Sequence, residues 1–195
     1  LGTWIEIQET TENILEIGSG CGVISLILAQ RMPDSKILAI DIDKDSAIQT
    51  EENFKRSPFL NAFQSKHISI QDFAKSSDKK FNLIVSNPPF FQNSLQSKNQ
   101  KKSLARHTET LPFEELLNYT YQLLSDSGRF CCILPYNVHK HFLFGAEIRN
   151  LFCKKFTSVY TKPDRKPQLA LFSFRKRPII TLKTNLFIRG NENNY

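Results

Sequence analysis

At 195 residues and 22.5 kDa the chain is long enough for one domain with its own core, and 40% apolar against 23% charged residues excludes a disordered chain. No apolar run approaches the roughly 18–20 residues of a membrane-spanning helix, and no signal peptide opens the chain. The net charge of +7 is lopsided: residues 1–87 hold 9 Lys/Arg against 12 Asp/Glu, whereas residues 88–195 hold 17 against 7. A basic half beside an acidic one suits a polyanionic partner on one side of the molecule.

In chain order, NILEI (13–17) is a short apolar run closed by glycines, and so a strand. Residues 22–32 place apolar side chains at helical spacing. KILAIDI (36–42) is a second strand and 43–57 a polar helix with acidic residues at its start. HISI (67–70) and FNLIVS (81–86) are expected as further strands. A helix over 111–125, a strand over 128–135, a helix over 137–152 and a final strand pair in SVYTKP and LALFSF complete the pattern. Alternating strands and helices, with strands apolar on both faces, predict a parallel α/β sheet covered on both sides. Such sheets bind ligands at the carboxyl ends of their strands.

The four cysteines (Cys21, Cys131, Cys132, Cys153) lack metal-ligand spacing. Adjacent Cys131 and Cys132 point to opposite faces of a strand, so reduced thiols and a cytoplasmic location are expected. His139 and His141 lie two apart, on different helix faces, and no metal is expected.

The first strand runs into EIGSGCG, Glu16 to Gly22. The dinucleotide fingerprint G-x-G-x-x-G needs a glycine where Val23 stands, so a nicotinamide dinucleotide is disfavoured. Asp41, which closes the second strand, is placed to accept hydrogen bonds from two ribose hydroxyls; a helix-capping role suits Asp43 better. The fourth strand ends in SNPPFF, Ser86 to Phe91. Prolines stop strands because they lack the ladder's N–H. Here they also leave an acceptor-rich turn: the Asn87 side-chain oxygen and the proline carbonyls form a slot that selects an amino group over a carbonyl. Phe90 is available to stack on a base, worth about 1–3 kcal/mol on comparable platforms.

The E-x-G-x-G-x-G loop resembles motif I of the class I S-adenosylmethionine-dependent methyltransferases, and N-P-P-aromatic resembles the motif IV of enzymes that methylate amino groups. LGTW (1–4), EIGSGCG, AIDID (39–43), SNPPFF, ARHTETL (105–111) and FIRGNENNY (187–195) together resemble the bacterial tRNA1(Val) adenine-37 N(6)-methyltransferases over nearly the whole chain. That resemblance implies a Rossmann-like fold, with a seven-stranded, mostly parallel sheet, helices on both faces and a final antiparallel strand pair. It implies one methyltransferase domain over 1–195, lacking an N-terminal cofactor-capping segment and a C-terminal tail. The expected cofactor is S-adenosyl-L-methionine, bound by Glu16, Gly18, Gly20, Gly22, Asp41, Asp72, Phe73 and Asn87, with Asp72 at the adenine amino group and Phe73 beside the ring. Asn87, Pro88 and Phe90 are expected at the target base. Phe91, Lys101, Lys102, Arg106 and His107 are expected to contact RNA, with Lys166, Arg175 and Lys176 flanking the slot's mouth. A monomer acting on tRNA is the expectation. Guanine amino-methylation on ribosomal RNA and protein glutamine N(5)-methylation remain open on the motif alone. A fold-retaining binding module without catalysis sits poorly with an intact Asn87, Asp41 and loop glycines.

Overall fold

A computed structural model describes residues 1–8, 11–59, 62–88 and 112–189. Its elements are β1 (Asn13–Ile17), α1 (Val23–Arg31), β2 (Lys36–Asp41), α2 (Lys44–Arg56), β3 (Ala62–His67), α3 (Ile70–Ser76) and β4 (Phe81–Ser86). There follow α4 (Phe113–Leu123), β5 (Leu124–Pro135), a 3-10 turn (Tyr136–Val138), α5 (His139–Ile148), β6 (Phe152–Tyr160), β7 (Leu169–Arg175) and β8 (Leu182–Phe187). The strands form one sheet in the order β3-β2-β1-β4-β5-β7-β6-β8. All pairings are parallel except those of β7 with β5 and β6, so the expected mostly parallel sheet with an antiparallel pair is present.

Two elements depart from expectation. The third strand is Ala62–His67, not residues 67–70. It lies at the sheet edge, where a polar strand (AFQSKH) is tolerated, and it gives no apolar alternation to read. Ile70 instead opens α3, because Ser69 caps it: its Oγ accepts the Asp72 N–H at 3.1 Å and donates to the Asp72 carboxylate at 2.7 Å. The sheet also has an eighth strand. β8 adds in parallel to β6, with Thr157 opposite Thr184 and their hydroxyls hydrogen-bonded.

The core has two layers, one on each sheet face. On one face α3, α4 and α5 pack on Leu15, Ile84, Phe130 and Cys132; on the other, α1 and Ile5 pack on Ile14, Leu83, Val85 and Cys131. Cys131 and Cys132 therefore do point to opposite faces. The N-terminal segment is tied down by side chains from distant elements. Trp4 donates to Thr157 at 3.1 Å, Arg31 donates to the Gly2 and Ile5 carbonyls, and buried Arg129 donates to the Glu6 carbonyl at 2.8 Å.

Candidate active site

The carboxyl ends of β1, β2 and β4 meet at one rim. Ile17 is paired with Ser86, whose hydroxyl donates to the Ile17 carbonyl at 2.9 Å. Gly18 and Asn87 directly follow this last pair of two adjacent parallel strands, which are spaced roughly 5 Å apart. Asn87 is exposed there and Pro88 is buried.

The glycine loop is built from both sides of the sheet edge. Gly18, Gly20 and Gly22 all have positive φ (72°, 57° and 76°), which a side chain adopts only at a cost. The first two differ from the third in what surrounds them. A Cβ on Gly18 or Gly20 would meet nothing within 4 Å, so an open cradle lies over the loop. A Cβ on Gly22 would lie 3.0 Å from Thr50 Cγ2 and 3.1 Å from Phe54 Cε1. Gly22, expected at the cofactor with the other two, is a packing glycine that lets α2 approach.

Helix α2 clamps this loop. Thr50 donates to the Gly20 carbonyl at 2.9 Å and lies 3.1 Å from the Ser19 hydroxyl; Asn53 donates to the Cys21 carbonyl at 2.8 Å. The sequence marked neither residue, since hydroxyl and amide groups on a polar helix look like solvent-facing positions. Asp41 completes the frame. One carboxylate oxygen accepts the Gly20 N–H at 2.8 Å and the other the Asp43 N–H at 2.9 Å. Each oxygen keeps a lone pair for a further donor. Asp43 is the α2 cap, accepting the Ser46 N–H at 2.8 Å; hydrogen bonds from the Ser46 hydroxyl and then its N–H lower its pKa. Between the two aspartates Ile42 is 59% exposed, an apolar side chain at the rim that no periodicity would single out.

Glu16 lies beneath the loop with 1% of its surface exposed. Oε2 accepts both the backbone N–H and the hydroxyl of Ser25, while Oε1 is buried with no hydrogen-bond partner among the described residues. Burial, only partly offset by the Ser25 bonds, pushes its pKa up from 4.5 to about 7. An orphaned buried oxygen under an open glycine cradle fits a ligand that brings positive charge or a donor.

The remaining expected residues divide. The Asp72 segment reaches the rim, because the Ile68 N–H donates to the Asp41 carbonyl at 2.9 Å. Asp72 itself sits in the first turn of α3, exposed, with its carboxylate engaged by Ser69 and 4.0 Å from Lys75. Phe73 does not face the rim: it is 4% exposed and packs in the core, 6.1 Å from the Phe81 ring. The helix that replaces the expected strand turns it inward. Arg175 and Lys176 are also displaced, to the opposite edge of the sheet from Asn87, because β7 runs antiparallel and Arg175 pairs with Phe152 at the start of β6. Lys176 there pairs with Asp126 at 3.5 Å. Phe90, Phe91, Lys101, Lys102, Arg106 and His107 lie outside the described residues. Among the described residues no cluster of His, Cys, Asp or Glu could hold a metal ion, and no helix is long and apolar enough to cross a membrane.

The strand order, the glycine cradle and the Asn-Pro turn at the fourth strand define a class I S-adenosylmethionine-dependent methyltransferase, and residues 4–144 match the methyltransferase small domain family. Solved structures agree on the fold. A predicted O-methyltransferase from Agrobacterium tumefaciens superposes with a TM-score of 0.74 at 11% identity, covering 97% of this chain and 86% of that one. NSun6 from Pyrococcus horikoshii gives 0.68 at 15% identity, over 90% and 50% of the two chains. Sequence relatives go further. The tRNA1(Val) (adenine(37)-N6)-methyltransferase of Haemophilus influenzae is 35% identical over all of this chain and 82% of its own length. The enzyme of the same name from Trichodesmium erythraeum is 36% identical with the same coverage. The chain belongs to this tRNA1(Val) (adenine(37)-N6)-methyltransferase family.

Proposed function

We propose that the chain transfers a methyl group from S-adenosyl-L-methionine to the exocyclic N6 of an adenine in tRNA, at position 37 of tRNA1(Val), the substrate named for its relatives. One observation carries this reading: the open glycine cradle and Asn87 directly follow Ile17 and Ser86, the last paired residues of two adjacent strands. When bound, the cofactor supplies an electrophilic methyl on a sulfonium.

The chain's own residues bind and orient. Gly18 and Gly20 permit close backbone approach, and Asp41 accepts from the ribose hydroxyls with its remaining lone pairs. Glu16 supplies negative charge below the amino-acid end through Oε1. Ile42 offers an apolar surface beside the nucleoside. At the target, the Asn87 side-chain oxygen and the Pro88 carbonyl accept the two amino N–H bonds. That draws the nitrogen lone pair out of conjugation with the ring and makes it nucleophilic, with no general base required. The base must leave its stack to reach the slot, which costs least in a single-stranded loop. The setting is the cytoplasm, where tRNA and reduced thiols coexist.

Methyl transfer to purified tRNA1(Val), comparing wild type with Asn87→Ala, tests the reading. It requires N(6)-methyladenosine from the wild type and at least a tenfold slower single-turnover rate in the variant, about 1.4 kcal/mol of transition-state stabilisation. Methylated guanine, or a protein acceptor with tRNA inert, would replace it with one of the two other amino-group chemistries.

A further inference from the structure

Among the described residues the charge of the basic second half is not spread evenly. Lys154 and Lys155 are paired with Glu6 at 3.3 and 3.0 Å, Arg149 with Glu114 at 3.2 Å, and Lys176 with Asp126. Lys162, Arg165, Lys166 and Arg189 line one open cavity of about 800 Å³, where Asp164, 3.9 Å from Arg165, is the one acidic lining residue among the described residues. Backbone bonds fix this cleft in place. The Gln168 N–H donates to the Val159 carbonyl at 2.9 Å, the Ile188 N–H to Tyr160 at 2.9 Å and the Arg189 N–H to Thr161 at 3.2 Å. The Tyr136 N–H, at the exit of β5, donates to the Gln168 carbonyl at 2.9 Å. The Tyr160 and Phe187 rings stack at 5.0 Å at the strand ends beneath it.

Sheet register places the cleft relative to the target slot. Ser86 is level with Cys132, Cys132 with Phe172, Phe172 with Phe156, and Phe156 with Lys183. Asn87 is therefore level with Thr157 and Thr184, three residues short of Tyr160 and Phe187. At about 4.8 Å per strand, β6 and β8 stand three and four strands from β4, roughly 14–19 Å to its side along the sheet. The cationic cleft thus lies at the carboxyl ends of strands that run the same way as β4, on the same rim as the slot. At about 3.4 Å of axis per nucleotide, the lateral distance corresponds to about four to six stacked nucleotides.

We propose that the cleft at the ends of β6 and β8 is a tRNA-backbone contact, in which Arg165, Lys166 and Arg189 neutralise phosphates of the stem adjoining the loop whose base enters the slot. The proposal rests on the reading of the target as tRNA and adds where the rest of that molecule lies. It gives the rim of the slot an anchor that positions without reading sequence.

The test compares Arg165→Glu/Lys166→Glu with Lys79→Glu/Arg177→Glu, which makes the same change in net charge at the opposite edge of the sheet. Filter binding of tRNA across a salt series and calorimetry with S-adenosylmethionine are run on both variants and the wild type. The cleft variant should bind tRNA at least about tenfold more weakly near 100 mM salt, and its salt slope should shrink by roughly 2, at about 0.9 per duplex phosphate. The opposite-edge variant should stay within about threefold of wild type, and all three should bind the cofactor alike, which shows them folded. Equal weakening in both variants would reduce the effect to net charge and overturn the proposal, as would no weakening in either. A wild type that methylates tRNA while the two variants behave alike brings down only this proposal. A wild type that neither binds nor methylates tRNA brings down the reading beneath it as well.

Discussion

Glutamine in place of Glu16 should make the ligand-free protein more stable at alkaline pH, by an amount the structure sets. The buried carboxyl has a folded-state pKa of about 7 against an ordinary 4.5. Below pH 4.5 both folded and unfolded chains hold the proton, and the group has no pH-dependent effect. Between the two values the folded state keeps a proton that the unfolded state has lost, so stability falls as pH rises, and the loss is complete above pH 7. At about 1.4 kcal/mol per unit the full penalty is about 3 kcal/mol, most of which accumulates between pH 5 and pH 8. A neutral side chain of the same size escapes it and still accepts from the Ser25 N–H and hydroxyl. Denaturant unfolding of wild type and Glu16→Gln at pH 5, 6, 7 and 8 reads the difference directly. The advantage of the variant should grow by roughly 2–3 kcal/mol over that range. A difference that stays constant within about 0.5 kcal/mol would refute a raised pKa at this site. Addition of S-adenosylmethionine should reverse the order, because its positive charge favours the ionised carboxylate: wild-type affinity should rise between pH 6 and 7.5 while that of the variant stays flat.

Asp41→Ala removes the Gly20 anchor and, on the proposed reading, the ribose acceptor, so calorimetry should show most of the cofactor affinity lost; unchanged binding would sink the pocket assignment. Asn87→Ala should bind the cofactor nearly normally and lose methyl transfer, a split between Kd and single-turnover rate that a merely structural Asn would not give. Gly22→Ala forces a residue with φ 76° to carry a Cβ 3.0 Å from Thr50, so it should lose at least about 1–2 kcal/mol of stability; a thermal midpoint within a degree of wild type contradicts the packing role. Cys21 is the exposed thiol in the loop, whereas burial pushes the Cys131 and Cys132 thiols up and that of Cys153 to about 12. Alkylation followed by mass spectrometry should therefore modify Cys21 first and be slowed there by S-adenosylmethionine; equal labelling with and without cofactor would detach the loop from the cofactor.

What could be read from the residues was whatever local chemistry leaves unusual. Asn87 could be found because prolines after an apolar strand, preceded by an amide, have few other uses. Asp41 and the loop glycines stand at strand ends, and of the glycines the structure gives Gly22 to helix packing. The polar edge strand β3 was missed for want of apolar alternation, and with it the start of α3, so Phe73 was assigned to the rim when its ring is in the core. Thr50 and Asn53 were invisible because their work depends on α2 lying across a loop 30 residues earlier. Arg175 and Lys176 were grouped with Lys166 by proximity in the chain. Only the direction of β7 separates them, and strand direction is a property of the assembled sheet.

Nucleoside mass spectrometry of tRNA from cells with and without this gene tests the central claim most directly. The account predicts that N(6)-methyladenosine at position 37 of tRNA1(Val) disappears without the gene, returns with the wild-type chain and does not return with Asn87→Ala. Methylation at that adenine that persists without the gene, or that the Asn87→Ala chain restores in full, would contradict it.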